Sequence, residues 1–466
     1  MKLRYVDLIE QSFEFPQEEF YVEDGELYFH DIALMDIVKQ YGTPLKFTYL
    51  PRISENINRA RVWFNVAIAK ANYTGKYIQC YCTKSNHFSF VLEEVLKNKV
   101  HLETSSAFDV DIIKSLELEN IIDKSLHVVC NGYKMPAYIE KIAELINSGY
   151  ANVIPVLDNT TELDSILEQT DRHINIGIRI ASEEEPKFEF YTSRLGLGYK
   201  NIMDYYETNI QNNPQVSLKM LHFFINTGIK DTAYYWNELH KCLQVYCQLK
   251  KICPSLNALN IGGGFPVKNN LTFEYEYEYM AEEIVNQIKI ACEENEVEEP
   301  DIYTEFGTFT VGESGGALYS VVNQKQQNDR EKWNMIDSSF ITTLPDTWAT
   351  SKRFLMLPVN HWEKPYERVF LGGLTCDSDD YYNSEQHVNA IYLPEFDPED
   401  VLYLGFFNIG AYQETIGGFG GLQHCLIPCP KHIIINKDED GKITTRMFSK
   451  EQSYKSMLRI LGYNYS

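Results

Sequence analysis

Ile78-Gln79-Cys80-Tyr81-Cys82-Thr83-Lys84-Ser85-Asn86 is the stretch on which the fold turns: an apolar strand ends and a lysine follows at once. The same rhythm repeats downstream. Candidate strands fall at Tyr77–Cys82, Val100–Glu103, Leu126–Asn131, Val153–Leu157, Ile174–Ile180, Leu218–Phe224, Leu256–Ile261 and Ile302–Glu305. Between them, stretches such as Phe90–Asn98, Thr160–Gln169, Tyr235–Lys251 and Tyr279–Glu294 carry apolar residues at three- and four-residue spacing, the helical period. Eight strands, each followed by a candidate helix or loop, predict an α/β fold, a (β/α)8 TIM barrel over residues 44–305. An open doubly wound sheet fits the strand count less well.

After Glu305 the rhythm changes. Ala317–Val322, Arg368–Leu374, Ala390–Leu393, Val401–Phe407 and His432–Ile435 are strand-like, with turn residues rather than long helices between them. This predicts a C-terminal all-β domain, a β-sandwich or β-barrel, over 306–466. Glu26-Leu27-Tyr28-Phe29 is also strand-like, which predicts that residues 1–43 join the same sheet. The polar run Gln324–Glu331 reads as a surface loop.

Of the 466 residues, 44% are hydrophobic, enough for two sizeable cores. The formal net charge of −24 argues against nucleic acid and admits a cationic small molecule, although solubility alone also accounts for it. The N-terminal Met1–Asp7 lacks an apolar core of the secretory kind, and no apolar run is long enough to span a bilayer. Ten cysteines without regular spacing suggest free thiols in a reducing cytoplasm. Cys425 and Cys429 lack a matching second pair, and Pro428 and Pro430 break the segment, so no metal site is expected.

Barrel enzymes keep their chemistry at the carboxyl ends of the strands. Lys84 follows the first strand there, and its amine can condense with an aldehyde cofactor; by position alone it is an ordinary surface lysine. Gly262-Gly263-Gly264 follows the seventh strand, where glycine lets backbone N–H groups approach a phosphate, or simply makes a flexible turn. Glu305 ends the eighth strand. It could keep a pyridine nitrogen protonated, making pyridoxal 5'-phosphate (PLP) an electron sink, or pair with a core arginine such as Arg179 at the fifth strand's end. Cys376-Asp377-Ser378-Asp379 sets a proton donor beside two anions suited to a distal cation, unless it is a solvated acidic loop, to which Asp380 adds. His222 reads as a core histidine.

These residues together resemble the fold-type III PLP-dependent decarboxylases, whose barrel is of the alanine-racemase type, and within them the bacterial biosynthetic arginine decarboxylases. The resemblance rests on Leu102-Glu103, Val129–Lys134, Leu344-Pro345-Asp346-Thr347-Trp348, Thr375–Asp379, and Leu404–Phe407 leading into Gly410-Ala411-Tyr412-Gln413-Glu414. It implies Lys84 as the cofactor-bonding lysine, Glu305 as the pyridine-nitrogen partner, and Gly262, Gly263, Gly264 and Tyr412 as phosphate ligands, with Arg179, Phe224 and Thr227 also at the cofactor. It implies Cys376 as proton donor, Asp377 with Asp379 as binders of a substrate cation, and Asp346 in the substrate pocket. It also implies a homodimer with shared active sites, a cationic amino acid as substrate, and Mg2+ by resemblance alone. The expected reaction is L-arginine to agmatine and CO2, for polyamine and spermidine biosynthesis. The rivals are a sister decarboxylase acting on ornithine, lysine, diaminopimelate or a carboxylated polyamine, and a catalytically silent regulatory homologue.

Three positions depart from the family pattern. The cofactor-stacking histidine is replaced by Phe224, in Phe223-Phe224-Ile225-Asn226-Thr227. The arginine three residues after the glutamate is replaced by Thr308, removing a cation from the phosphate site. The long helical insertion of the bacterial arginine enzymes is absent, with only Gln324–Trp333 in its place.

Overall fold

The computed structural model describes residues 18–183, 192–271, 273–382, 391–397, 399–418 and 424–463. Met1–Asp7 and Ala390, invoked above, lie outside them. Two compact units divide the chain: Ser54–Pro266 with Tyr275–Thr310, and Met1–Ile53 with Val267–Glu274 and Val311–Ser466.

The first unit is a closed barrel of eight parallel strands, Tyr77–Cys82, His101–Thr104, Val128–Cys130, Val153–Leu157, Ile174–Arg179, Val216–His222, Ala258–Asn260 and Asp301–Glu305. They follow one another around the ring in chain order, and the eighth pairs with the first, Glu305 opposite Cys80. Each predicted strand is present. Helices cover one face of the ring and side chains fill its inside, so a strand such as Val153–Leu157 is buried throughout and reads as a continuous apolar run. Cys80, Val129, Val156, Met220, Ala258 and Tyr303 pack together in one buried cluster. A register shift between Leu218 and Met220 adds a bulge to the sixth strand. With Met220 in that cluster, alternation sends His222, two residues on, to the same face.

The helices carry their own start and stop signals. Pro136–Ser148 has proline in its first turn and ends on Gly149 in the left-handed conformation, φ 100°. Ala107–Leu118 and Ala233–Lys250 are capped by the side chains of Ser106 and Thr232. Beneath them lies a buried ion pair. Lys134 Nζ is 3.1 Å from Glu162 Oε2, and the Glu162 carboxylate also accepts from the backbone N–H groups of Lys134 (3.0 Å) and Asp158 (2.9 Å). Replacing Glu162 with alanine strands a buried ammonium. We expect about 3–5 kcal/mol of destabilisation, read as a lowered thermal midpoint, with Glu162→Gln recovering much of the loss through its remaining hydrogen bonds.

The second unit is mainly β. Its ten-stranded sheet is built around the long strand Gly315–Asn328, flanked by Leu45–Tyr49, Glu331–Ile336 and Tyr403–Phe407. The start of the chain does not add to this sheet as expected. Phe20–Glu23, Glu26–Phe29 and Ile32–Ala33 form a separate three-stranded sheet. The segment that joins is Leu45–Tyr49, antiparallel to Gly315–Asn328 and parallel to Lys431–Lys437. It is buried along its length, and the Phe47 ring occupies the space a side chain at Gly316 would need: a Cβ there would lie 2.1 Å from the ring. The polar run Gln324–Glu331 is not a loop either. It is the outer end of a hairpin in which Gly315–Asn328 pairs with Glu331–Ile336. Its polarity reflects exposure of both faces rather than loss of backbone pairing.

The excursion Val267–Glu274 belongs to this second unit. Lys268 reaches Glu19 at 2.7 Å, and Glu19 also meets Arg52, which in turn holds Glu313. One guanidinium and one ammonium thus tie together four distant stretches of sequence. Among the described residues, no helix is long and apolar enough to cross a membrane.

Candidate active site

The carboxyl ends of the barrel strands converge as the sequence predicts. Lys84 lies in the short turn Thr83–Ser85 directly after the first strand. The turn is fixed from several sides: Thr83 Oγ1 donates to the Glu103 carbonyl (3.0 Å), Ser85 Oγ to the Cys82 carbonyl (2.7 Å), and Gly307 packs against Ser85. The Lys84 ammonium donates to Glu103 Oε1 at 2.7 Å. Glu103 itself is fully buried in the second strand.

Asn131, just past the third strand, joins the two acids. Its Nδ2 donates to Glu103 Oε1 (3.1 Å) and to Glu305 Oε1 (2.8 Å). Asn260, ending the seventh strand, donates Nδ2 to the same Glu305 oxygen at 2.6 Å and accepts from the Gly262 N–H at 2.9 Å. One asparagine therefore connects the carboxylate to the glycine turn. His222, ending the sixth strand, places Nε2 3.5 Å from Glu305 Oε2.

Electrostatics sorts these groups. Burial pushes the Glu103 carboxyl up; Lys84 opposes this and the nearby Glu305 adds to it. Burial pushes His222 well down, reinforced by the Arg179 cation, so its ring is neutral at physiological pH. Four buried polar atoms here lack a hydrogen-bond partner among the described residues: Glu103 Oε2, Asn131 Oδ1, and both ring nitrogens of His222. Buried polar atoms are seldom left so, and a cluster of them calls for an explanation beyond packing, such as a catalytic role.

The glycine triplet is a built cradle. Gly262 and Gly264 have φ of 67° and 123°, where a side chain is strained. At Gly263 a Cβ would lie 2.3 Å from the Glu305 carbonyl oxygen, and at Gly264 one would lie 2.8 Å from the Gly228 Cα. Thr227 immediately precedes Gly228, so its half-buried hydroxyl-bearing residue borders the cradle. Phe224 lies just past the sixth strand with the Arg179 guanidinium 5.9 Å from its ring centroid. Thr308 begins the short helix Thr308–Val311 that follows Glu305-Phe306-Gly307.

The remaining predicted residues lie in the other unit. Cys376, Asp377 and Asp379 occupy an exposed loop between Tyr366–Gly372 and Tyr381–Tyr382. Asp380, read from sequence as one more acid of that loop, is its anchor. It is buried, and accepts from the N–H groups of Phe340 (2.8 Å) and Ile341 (3.3 Å) and from both N and Oγ1 of Thr375 (3.0 and 2.7 Å). Asp380→Ala orphans these donors, each costing about 1–3 kcal/mol. We expect faster amide hydrogen exchange at residues 340, 341 and 375 and a loss of turnover.

Asp346 is buried too. Its Oδ2 accepts from Gln413 Nε2 at 2.8 Å and lies 3.7 Å from Lys352 Nζ, so it positions the residue next to Tyr412. Tyr412 itself sits at φ 69°, a conformation costing a bulky residue about 1–3 kcal/mol and kept where geometry matters. Asp379, Trp348, Arg353 and Tyr381 line one cleft of about 220 Å³. The Leu-Pro-Asp-x-Trp and Cys-Asp-Ser-Asp stretches therefore meet. Cys425 Sγ lies 3.3 Å from Cys376 Sγ, and His424 stands beside them. These are soft donors and do not suit Mg2+, which prefers oxygen.

A barrel lysine, a glycine cradle and a buried glutamate held by two asparagines make up the candidate cofactor site. A model of the family described as "Pyridoxal-dependent decarboxylase, pyridoxal binding domain" matches residues 59–312, more than half of the chain, and the chain belongs to that family. It is a PLP-dependent carboxy-lyase. A biosynthetic arginine decarboxylase of Vibrio vulnificus is 21% identical over 95% of this chain and 88% of its own. The crystal structure of the Campylobacter jejuni biosynthetic arginine decarboxylase superposes with a TM-score of 0.81, at 20% identity, over 97% of this chain and 90% of that one. A diaminopimelate decarboxylase from M. jannaschi superposes with a TM-score of 0.79, at 18% identity, over 95% and 98%.

Proposed function

We propose that the chain decarboxylates L-arginine to agmatine and CO2 as a step of polyamine biosynthesis. The observation that carries this reading is the meeting of the two arginine-type stretches in one cleft, with Asp379 and Trp348 on its wall beside Arg353. A planar guanidinium suits a carboxylate beside an aromatic face. The relatives named as arginine decarboxylases support the choice.

Bound PLP would draw off the electron pair left on the α-carbon as CO2 departs. The chain's own residues then have distinct tasks. The Lys84 amine would hold the cofactor at its aldehyde carbon, and Glu103 keeps that amine in place. Glu305, fixed by Asn131 and Asn260, would partner the ring nitrogen and favour its protonated form. Gly262, Gly263, Gly264, Thr227 and Tyr412 would hold its phosphate, and Phe224 and Arg179 would contact its ring. Cys376 delivers a proton to the α-carbon, while Asp377 and Asp379 hold the distal cation.

We further infer a cytoplasmic homodimer in which Cys376 of one protomer serves the barrel of the other. The ten free thiols fit a reducing compartment. Mixing Lys84→Ala and Cys376→Ala chains, each inactive alone, is expected to restore about a quarter of wild-type activity, because half the random dimers carry one intact site. No restoration on mixing sinks the shared site.

The substrate is tested by incubating the PLP-loaded protein with arginine, ornithine, lysine, diaminopimelate and a carboxylated polyamine, and measuring amine and CO2. Agmatine from arginine is expected. Product from another of these moves the assignment within the family. Absence of any product, with no visible absorption gained on adding PLP, favours the silent homologue.

A further inference from the structure

We propose that Cys376 and Cys425 form a redox pair that closes to a reversible intramolecular disulfide, withdrawing the Cys376 thiol from the reaction. The consequence for activity rests on the proton-donor role proposed above; the disulfide itself does not.

The two sulfurs lie 3.3 Å apart, and the Cys376 N–H also points at the Cys425 sulfur at 3.5 Å. A disulfide needs about 2.05 Å, so closure asks little more than ångström-scale movement of two exposed side chains. Seven of the ten cysteines are buried, which leaves few competitors for an oxidant. Cys425 and Leu426 adopt successive left-handed conformations, φ 52° and 53°, unusual for non-glycine residues and holding the thiol toward its neighbour. The same atoms with His424 could hold a metal ion, the three ligand atoms lying within 4.8 Å of one another. However, two thiolates on a tetrahedral zinc stand about 3.8 Å apart at a Zn–S distance of about 2.3 Å. The observed separation is shorter than that spacing.

The chemistry balances with a peroxide as oxidant. One sulfur, as thiolate, attacks a peroxide oxygen, giving a sulfenic acid and releasing water once a proton is taken up. The second sulfur displaces that oxygen as a second water, forming the S–S bond. Two thiols lose two protons and two electrons, and one hydrogen peroxide becomes two waters. A dithiol reductant returns both. Hydrogen bonding to Cys425 and the charge beside it push the Cys376 thiol up.

The experiment treats reduced, PLP-loaded full-length protein with graded hydrogen peroxide, blocks remaining thiols, and maps peptides without reduction. The expected product is the Cys376 peptide linked to the Cys425 peptide, lighter by two hydrogens than their sum. Decarboxylation should fall at least about tenfold, as for a lost general acid, and return on adding dithiothreitol. Cys425→Ser should keep its basal rate and form no link, and with excess peroxide its Cys376 should pass beyond the sulfenic to the sulfinic acid, a loss that dithiothreitol does not reverse. Oxidation of Cys376 with no link to Cys425 overturns the proposal, as does one zinc per chain in the isolated protein shielding both thiols. A link that leaves turnover unchanged refutes the withdrawal of a proton donor. Because the link is read by mass, a chain that never decarboxylates arginine fails the proposed function and leaves this test intact.

Discussion

Lys84→Ala protein, folded and mixed with PLP, is expected to lack the visible absorption that the wild type gains, and to turn over arginine at least about 10²–10⁴-fold more slowly. That range is the usual effect of removing one positioned proton-transfer group, and losing the covalent hold on the cofactor adds to it. The structure makes the prediction sharp because the amine is not a free surface charge. It donates to Glu103 at 2.7 Å, on a turn fixed by Thr83, Ser85 and Gly307. Glu103→Gln separates holding from positioning: the absorption should persist while kcat drops. If Lys84→Ala acquires the same absorption as wild type, another amine carries the cofactor and the site assignment fails.

Glu305→Gln is expected to cost about 10²–10³-fold in kcat, the scale of removing one preorganised electrostatic partner from a buried site. The substitution is nearly isosteric, so the cofactor should still bind and the absorption should remain, shifted in position. The amide cannot satisfy its surroundings as well. Glu305 Oε1 accepts from both Asn131 and Asn260, and a glutamine nitrogen turned toward them would face two donors. A variant with unchanged kcat would mean that the ring nitrogen is protonated by other means, with His222, 3.5 Å from Glu305, the first group to examine.

Much of the barrel was legible because its strands are short apolar runs at regular intervals, and because charged residues at their ends stand out against those runs. Lys84, Glu305 and the glycine triplet were visible for that reason. Glu103, Asn131 and Asn260 follow the same rule, a polar residue at an apolar strand's end, yet only their convergence in space shows that one amide joins two acids. His222 was harder. The bulge between Leu218 and Met220 sets its direction, and no local pattern announces a register shift. In the β unit, polarity misled twice. The hairpin at Gln324–Glu331 is exposed but paired, and Asp380 is an acid among acids whose role as anchor depends on amides forty residues away. The join of Leu45–Tyr49 to Gly315–Asn328 and Lys431–Lys437 is of the same kind, since pairing partners so distant in the chain leave no trace in local spacing.

Lys84 and Glu305 stand on the first and last staves of the ring, on either side of the seam where the barrel shuts. More than two hundred residues of chain must be made and folded before that seam can form, so the pocket is among the last things this unit acquires. A growing or shortened polypeptide lacking Asp301–Glu305 would own the lysine and the glycines but no floor for the ring, and vitamin B6 capture should therefore report completed folding.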